Sequence, residues 1–147
     1  MILAPASLND VGHAIQLALA PVFLLTGIAG TLNVMTGRLA RIIDRGRHIS
    51  EADPGARLRE EAADELRALE RRRSLASAAI TATTFSALLV CVVVTVLFLE
   101  ALLEVDLNPV VGVLFAASSL ALVVGLAYFL REVHLATKTV RIPTVPD

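Results

Sequence analysis

Seven residues of one predicted helix, Ser74, Ser77, Thr81, Thr84, Leu88, Cys91 and Thr95, are spaced alternately three and four apart. That is a 3.5-residue repeat, which lines them up as one seam. Six of the seven are small and weakly polar. In a bilayer such a seam lets helices approach closely and exchange hydroxyl hydrogen bonds, each worth about 0.6–2 kcal/mol. The other chemistry open to it is a water path, because a hydroxyl replaces part of an ion's hydration shell and a bulky apolar side chain does not. An earlier apolar segment has a related pattern. His13, Gln16, Ala20, Gly27, Thr31 and Arg38 share one helical face, and Thr26, Gly30, Asn33 and Gly37 lie on the face beside it. Asn33 is costly among lipid tails unless paired, so it either bonds a neighbouring helix or lines a pore or binding site. The pore or helix-interface candidates are Gln16, Thr31, Asn33, Ser77, Thr81, Thr84 and Thr95.

Charged residues gather at the two ends of these segments. Arg38, Arg41 and Arg45 continue the first stripe at what reads as an inner mouth. There they either anchor to anionic headgroups or, repeated around an oligomer, form a ring that attracts anions and repels cations. Asp44 lies one turn from Arg41 and Arg47, the spacing of a local ion-pair network; it could instead link subunits. Asp10, Glu100, Glu104 and Asp106 make an acidic outer rim. They serve as caps and loop residues, or raise local cation concentration around an assembly. His13, His48 and His134 are scattered with no metal-ligand spacing, so no metal site is expected. Cys91 has neither a basic neighbour nor a partner cysteine and reads as a packing residue. No phosphate-binding glycine loop, nucleophile elbow or acid–base pair is present, so neither an enzyme nor a cofactor is expected.

The elements that must hold these residues follow from composition. Of 147 residues 56% are apolar and 18% charged, and Val11–Gly37, Ser74–Leu99 and Leu107–Leu130 contain no Asp, Glu, Lys or Arg. A bilayer core about 30 Å thick needs about 20 apolar helical residues, and each stretch is longer than that. The first stretch lacks the positive start of a cleaved signal peptide and is too long for its apolar core. A single cysteine excludes a disulfide scaffold, and a net charge of −1 without a basic tail argues against nucleic acid as a partner.

The fold class is therefore all-α: an integral membrane protein with three transmembrane helices and a cytoplasmic helical hairpin between the first and second. The first helix is predicted to start near Leu8, capped by Ser7 and Asp10, to be kinked or loosened at Pro21, and to run on into an arm bearing Leu39, Ile42, Ile43 and Ile49. Ala52-Asp53-Pro54-Gly55 breaks it. The second arm, Ala56–Arg73, carries Leu58, Ala62, Leu66 and Leu69 on one side and enters the second span without a breaker. Asn108 as cap and Pro109 as the following proline open the third span, where Gly112 with Ala116, and Ala117, Ala121 and Gly125, have small-residue contact spacing. The resulting segments are residues 1–37, N-terminus and first span; 38–73, hairpin; 74–103, second span; 104–109, loop; 110–130, third span; and 131–147, a tail in which Pro143 and Pro146 end any helix.

Ten of the 13 Lys and Arg residues fall in Arg38–Arg73 and three in Arg131–Arg141. The positive-inside rule puts those segments in the cytoplasm and the N-terminus outside.

Three local patterns together resemble a known family. One is Pro21-Val22-Phe23-Leu24-Leu25-Thr26-Gly27-Ile28 continuing through Leu32-Asn33-Val34 to Arg38-Leu39-Ala40-Arg41-Ile42-Ile43-Asp44-Arg45. The others are Arg71-Arg72-Arg73 opening a span with Ser86-Ala87-Leu88-Leu89-Val90-Cys91, and Phe129-Leu130-Arg131-Glu132-Val133. The chain is similar over nearly its whole length to the bacterial membrane proteins classed as domain of unknown function 2721. The resemblance implies three spans and a bacterial membrane and transfers no catalytic residue; with the charge asymmetry, the expected location is the cytoplasmic (inner) membrane.

Three helices enclose too little volume for a water path of their own, and two small-and-polar faces are most easily buried in a symmetric oligomer. Two functions remain open: a homo-oligomeric channel-like protein, or a non-conducting scaffold or regulatory subunit whose charged hairpin docks a cytoplasmic protein. The expected partners are the lipid bilayer and further copies of the chain.

Overall fold

A computed structural model describes the backbone of residues 8–51 and 56–139, with side chains for 11–51 and 62–137. The Ser7 cap, the Ala52–Gly55 break, the side chains of Asp10 and Leu58, and the tail beyond Thr139 lie outside the described residues. The rest is three helices: α1 (Leu8–Glu51), α2 (Ala56–Leu103) and α3 (Asn108–Thr139). Their 44, 48 and 32 residues make rods of about 66, 72 and 48 Å at a rise of 1.5 Å per residue. All three are long and apolar enough to cross a membrane. The first two extend well past a core about 30 Å thick. The passage of spans into arms without a break and the stop at Leu103 agree with the sequence reading. Pro21 lies buried inside α1, which continues through it.

One repeat organises the packing. On α2 the buried positions are Leu69, Ala76, Ala79, Thr83, Ser86, Val90, Val93 and Leu97, and Arg72 fills the one gap in this alternation of threes and fours. On α1 they are Ala14, Ala18, Pro21, Ile28, Met35 and Ile42, and on α3 Ser118, Gly125 and Glu132, each set separated by threes, fours or sevens. A sustained 3.5-residue period keeps each helix's inward stripe facing its partner over many turns. The central helix is α2, packed along its length against α1 on one side and α3 on the other, while α1 and α3 have little contact with each other. Both pairings are antiparallel. Ile42 packs with Leu69 and Ala76 at one end, and Ala18 packs with Val93 and Leu97 at the other.

The middle of the layer is built from small residues. Ser86 Oγ donates a hydrogen bond to the Ser118 carbonyl at 2.7 Å. Thr83 Oγ1 lies 3.8 Å from the Met35 sulfur. A Cβ on Gly125 would collide with Thr83 Oγ1 and come within 3.1 Å of the Thr83 nitrogen and 3.2 Å of the Ala79 oxygen. Glycine here permits α3 to approach the backbone of α2. No described residue of this chain meets Gly112, around which there is open space.

The turn between α2 and α3 differs from expectation in one detail. Asp106, not Asn108, supplies the cap: its Oδ1 accepts the Asn108 backbone N–H at 3.1 Å and the Asn108 side-chain amide at 3.0 Å. The Leu107 carbonyl then takes the first helical bonds, from Val110 and Val111. Glu104, directly after α2, adopts φ 52°, the left-handed conformation that commonly ends a helix and favours glycine.

Candidate functional site

Three helices bring one charge each to the same level at the basic end. Arg38 is the first charged residue after the apolar stretch of α1, Arg72 lies at the entrance of the apolar stretch of α2, and Glu132 follows that of α3. The Glu132 side chain is 1% exposed. Its Oε2 accepts from Arg38 Nε at 3.1 Å, and its Oε1 accepts from Arg72 Nε at 3.2 Å and Nη2 at 3.0 Å. Arg38 also sits over the Phe129 ring, 5.7 Å from its centroid, a cation–π geometry. A buried carboxylate is tolerated when charged, hydrogen-bonded partners meet it, as both oxygens are met here. Since α1 and α3 otherwise scarcely touch, the contacts of Arg38 with Glu132 and Phe129 tie them together at this end.

Beyond the triad, Arg45 Nε donates to Glu65 Oε1 at 2.9 Å and joins the arms. Glu65, by this hydrogen bond first and by its charge second, holds the Arg45 guanidinium above its ordinary pKa. Between these two pairs lies a cavity of about 250 Å³ lined by Arg38, Arg41, Ile42, Arg45, Leu69 and Arg72. Asp44 is exposed and, contrary to the expected network, forms no ion pair with Arg41 or Arg47 among the described residues.

The polar seams picked out by spacing face outward. On α2, Ser74, Ser77, Thr81, Thr84, Leu88, Cys91 and Thr95 are all exposed, so the seam does not pack helices within this chain. Thr81 and Thr95 donate to carbonyls one turn back, at 2.9 Å each. On α1, Gln16, Thr26, Gly30, Asn33 and Gly37 are exposed and Thr31 is half-buried. Thr31 donates to the Gly27 carbonyl at 2.9 Å and Thr26 to that of Val22 at 3.4 Å. The Asn33 amide has no such outlet, and open space surrounds Gly27, Gly30 and Gly37. Large apolar side chains share the outer surface: Phe23 is 73% exposed and Val113 is 70%.

The acidic end gathers Glu100, Glu104 and Asp106 with His13 around a cavity of about 320 Å³, walled also by Ala14, Leu17, Leu97, Ala101 and Val105. Glu100 Oε2 is buried without a hydrogen-bond partner. No group of three or more His, Cys, Asp or Glu that could hold a metal occurs among the described residues.

A family model described as protein of unknown function (DUF2721) matches residues 18–142. The chain belongs to the DUF2721 family. No curated protein and no solved structure matches it. The region matched to DUF2721 holds the whole triad, Asn33 and both ends of the small-residue contact at Gly125. It leaves out Asp10, His13 and Gln16.

Sequence reasoning missed Glu132 as a site residue, as it did Thr83 and Ser86. A signal existed: Ser118, Gly125 and Glu132 recur every seven residues, and Glu132 ends the series as its one charged member.

Proposed function

We propose that this chain is the subunit of a homo-oligomeric, channel-like protein of the bacterial inner membrane, with the N-terminus outside and the hairpin and C-terminus in the cytoplasm. The observation that carries the reading is the outward face of α1, where Thr26, Gly30, Asn33 and Gly37 follow one another at spacings of four, three and four, and the exposed Asn33 side chain has no hydrogen-bond partner among the described residues. An amide facing lipid tails with nothing to bond is costly. Asn33 lies five residues from Arg38, roughly 7 Å deeper along the helix. Another subunit or a water-filled path relieves that cost, and the glycines let a second helix approach closely. The acidic outer rim favours cation entry and the arginines at the other end oppose cation exit, so the reading names no preferred ion.

The second reading is a non-conducting scaffold whose hairpin docks a cytoplasmic protein. It is favoured by the arms, which project about 20 Å beyond Arg38 and expose Asp44 and Arg47, neither of which has an ion-pair partner among the described residues.

Purified, oligomeric protein in liposomes separates the two. The channel reading expects ion flux that changes when Asn33 or Thr84 is replaced by Leu. No flux at any pH, voltage or calcium level tested, from protein shown to be oligomeric, counts against the channel and leaves the scaffold.

A further inference from the structure

The cavity between the arms at the basic end has a composition that its own ion pairs do not balance. Four arginines line it, Arg38, Arg41, Arg45 and Arg72, with Ile42 and Leu69 as the apolar wall. Among the described residues two carboxylates answer them: Glu132, shared by Arg38 and Arg72, and Glu65, on Arg45. Arg41 has no ion-pair partner among the described residues. Two positive charges are therefore in excess around about 250 Å³, several times the roughly 30 Å³ a water molecule takes up in the liquid.

The depth of the cavity narrows the ligand. Arg38 marks the edge of the apolar stretch, and Arg41 and Arg45 lie one and two turns further out, together spanning roughly 10 Å along the axis. A bilayer is about 30 Å thick in its hydrocarbon and 40–45 Å with headgroups, so each headgroup layer is about 5–8 Å deep. Measured from the edge of the apolar stretch, Arg38 and Arg41 fall within a layer of that depth and Arg45 lies just beyond it. Their planar, forked donors match phosphate oxygens in pairs, and basic pockets between membrane helices suit anionic headgroups.

We propose that this cavity binds a phosphate oxyanion, with Arg41 as the donor that no described residue already engages. The chemistry is common to an anionic phospholipid headgroup and to free phosphate. The position favours the headgroup.

The test uses full-length protein in phosphatidylcholine nanodiscs. Phosphatidylglycerol at a few per cent, or inorganic phosphate in the buffer, is titrated in while thermal unfolding and bound lipid by native mass spectrometry are followed. Wild type is expected to gain several degrees in Tm and retain phosphatidylglycerol. Arg41→Gln is expected to bind at least fivefold more weakly, because it removes an unpaired donor and leaves both Glu132 pairs intact. Arg131→Gln, exposed and outside the cavity, keeps wild-type binding. A Tm gain from phosphate equal to that from the lipid, also lost in Arg41→Gln, supports the site and assigns it to a soluble ligand. An Arg41→Gln response equal to wild type, or an equal loss in Arg131→Gln, overturns the proposal.

Discussion

Arg72 Nη2 and Glu132 Oε1 lie 3.0 Å apart across 60 residues of sequence, and the same carboxylate holds Arg38 on the third helix. The helix pairs α1–α2 and α2–α3 each have an extended packing surface, but α1 and α3 do not. The charge triad thus closes the basic end of an otherwise flat layer.

Replacing Glu132 by Gln is expected to leave two guanidinium groups facing each other without their carboxylate. Removing one partner of a fully buried pair costs about 3–5 kcal/mol. Arg38 and Arg72 keep 34% and 22% of their side-chain surface exposed, so roughly 2–3 kcal/mol is expected here after allowing for solvent. The exposed Arg71→Gln is expected to change stability by under about 0.5 kcal/mol. Equilibrium unfolding in mixed micelles measures both, and a Glu132→Gln protein as stable as Arg71→Gln removes the triad from the fold's supports.

Gly125→Ala is expected to destabilise by about 1–3 kcal/mol, the range for overpacking a close contact. The new methyl meets the backbone of α2 at Thr83 and Ala79, and backbone cannot rotate away as a side chain can. Adding Thr83→Ala clears the hydroxyl but not the backbone atoms, so the double variant is expected to recover only part of the loss in Tm.

Two faces of α2 carry a 3.5-residue repeat and sequence reasoning picked out the first alone, which explains what could be read and what could not. Ser74, Ser77, Thr81 and Thr84 form one small-residue seam, and Ala76, Ala79, Thr83 and Ser86 form another about half a turn away. Spacing identifies such seams but does not say which one meets a partner helix in the same chain. The second does, because Gly125 and Ser118 come from 32 or more residues further on. The long helices and their passage into arms were legible because apolar periodicity and the charge boundaries at Arg38 and Arg73 act locally. The Arg38–Glu132 pair, 94 residues apart, depends on the register of two helix contacts at once and has no local signal.

Glu104→Gly is expected to raise stability by about 1 kcal/mol, since the left-handed conformation at φ 52° is strained for a residue with a Cβ and free for glycine. A lower Tm for this variant contradicts a purely conformational effect and assigns the carboxylate a role in the cavity it shares with His13 and Glu100.

Asn33→Leu is expected to weaken self-association in lipid. One interhelical side-chain contact in a membrane is worth about 0.6–2 kcal/mol, which corresponds to a dissociation constant roughly three- to thirty-fold higher. Energy transfer between labelled chains in vesicles of varied dilution reads this directly, and the α2 variant Cys91→Ala provides a comparison on the opposite seam.

Self-assembly through the outward face of α1 is most directly tested by the mass of the protein in nanodiscs formed straight from its own membrane. A discrete multiple of the 15.6 kDa chain, reduced towards a single chain by Asn33→Leu, is the expected result. A single chain per disc in the wild type at every expression level contradicts it, and with it the channel-like function.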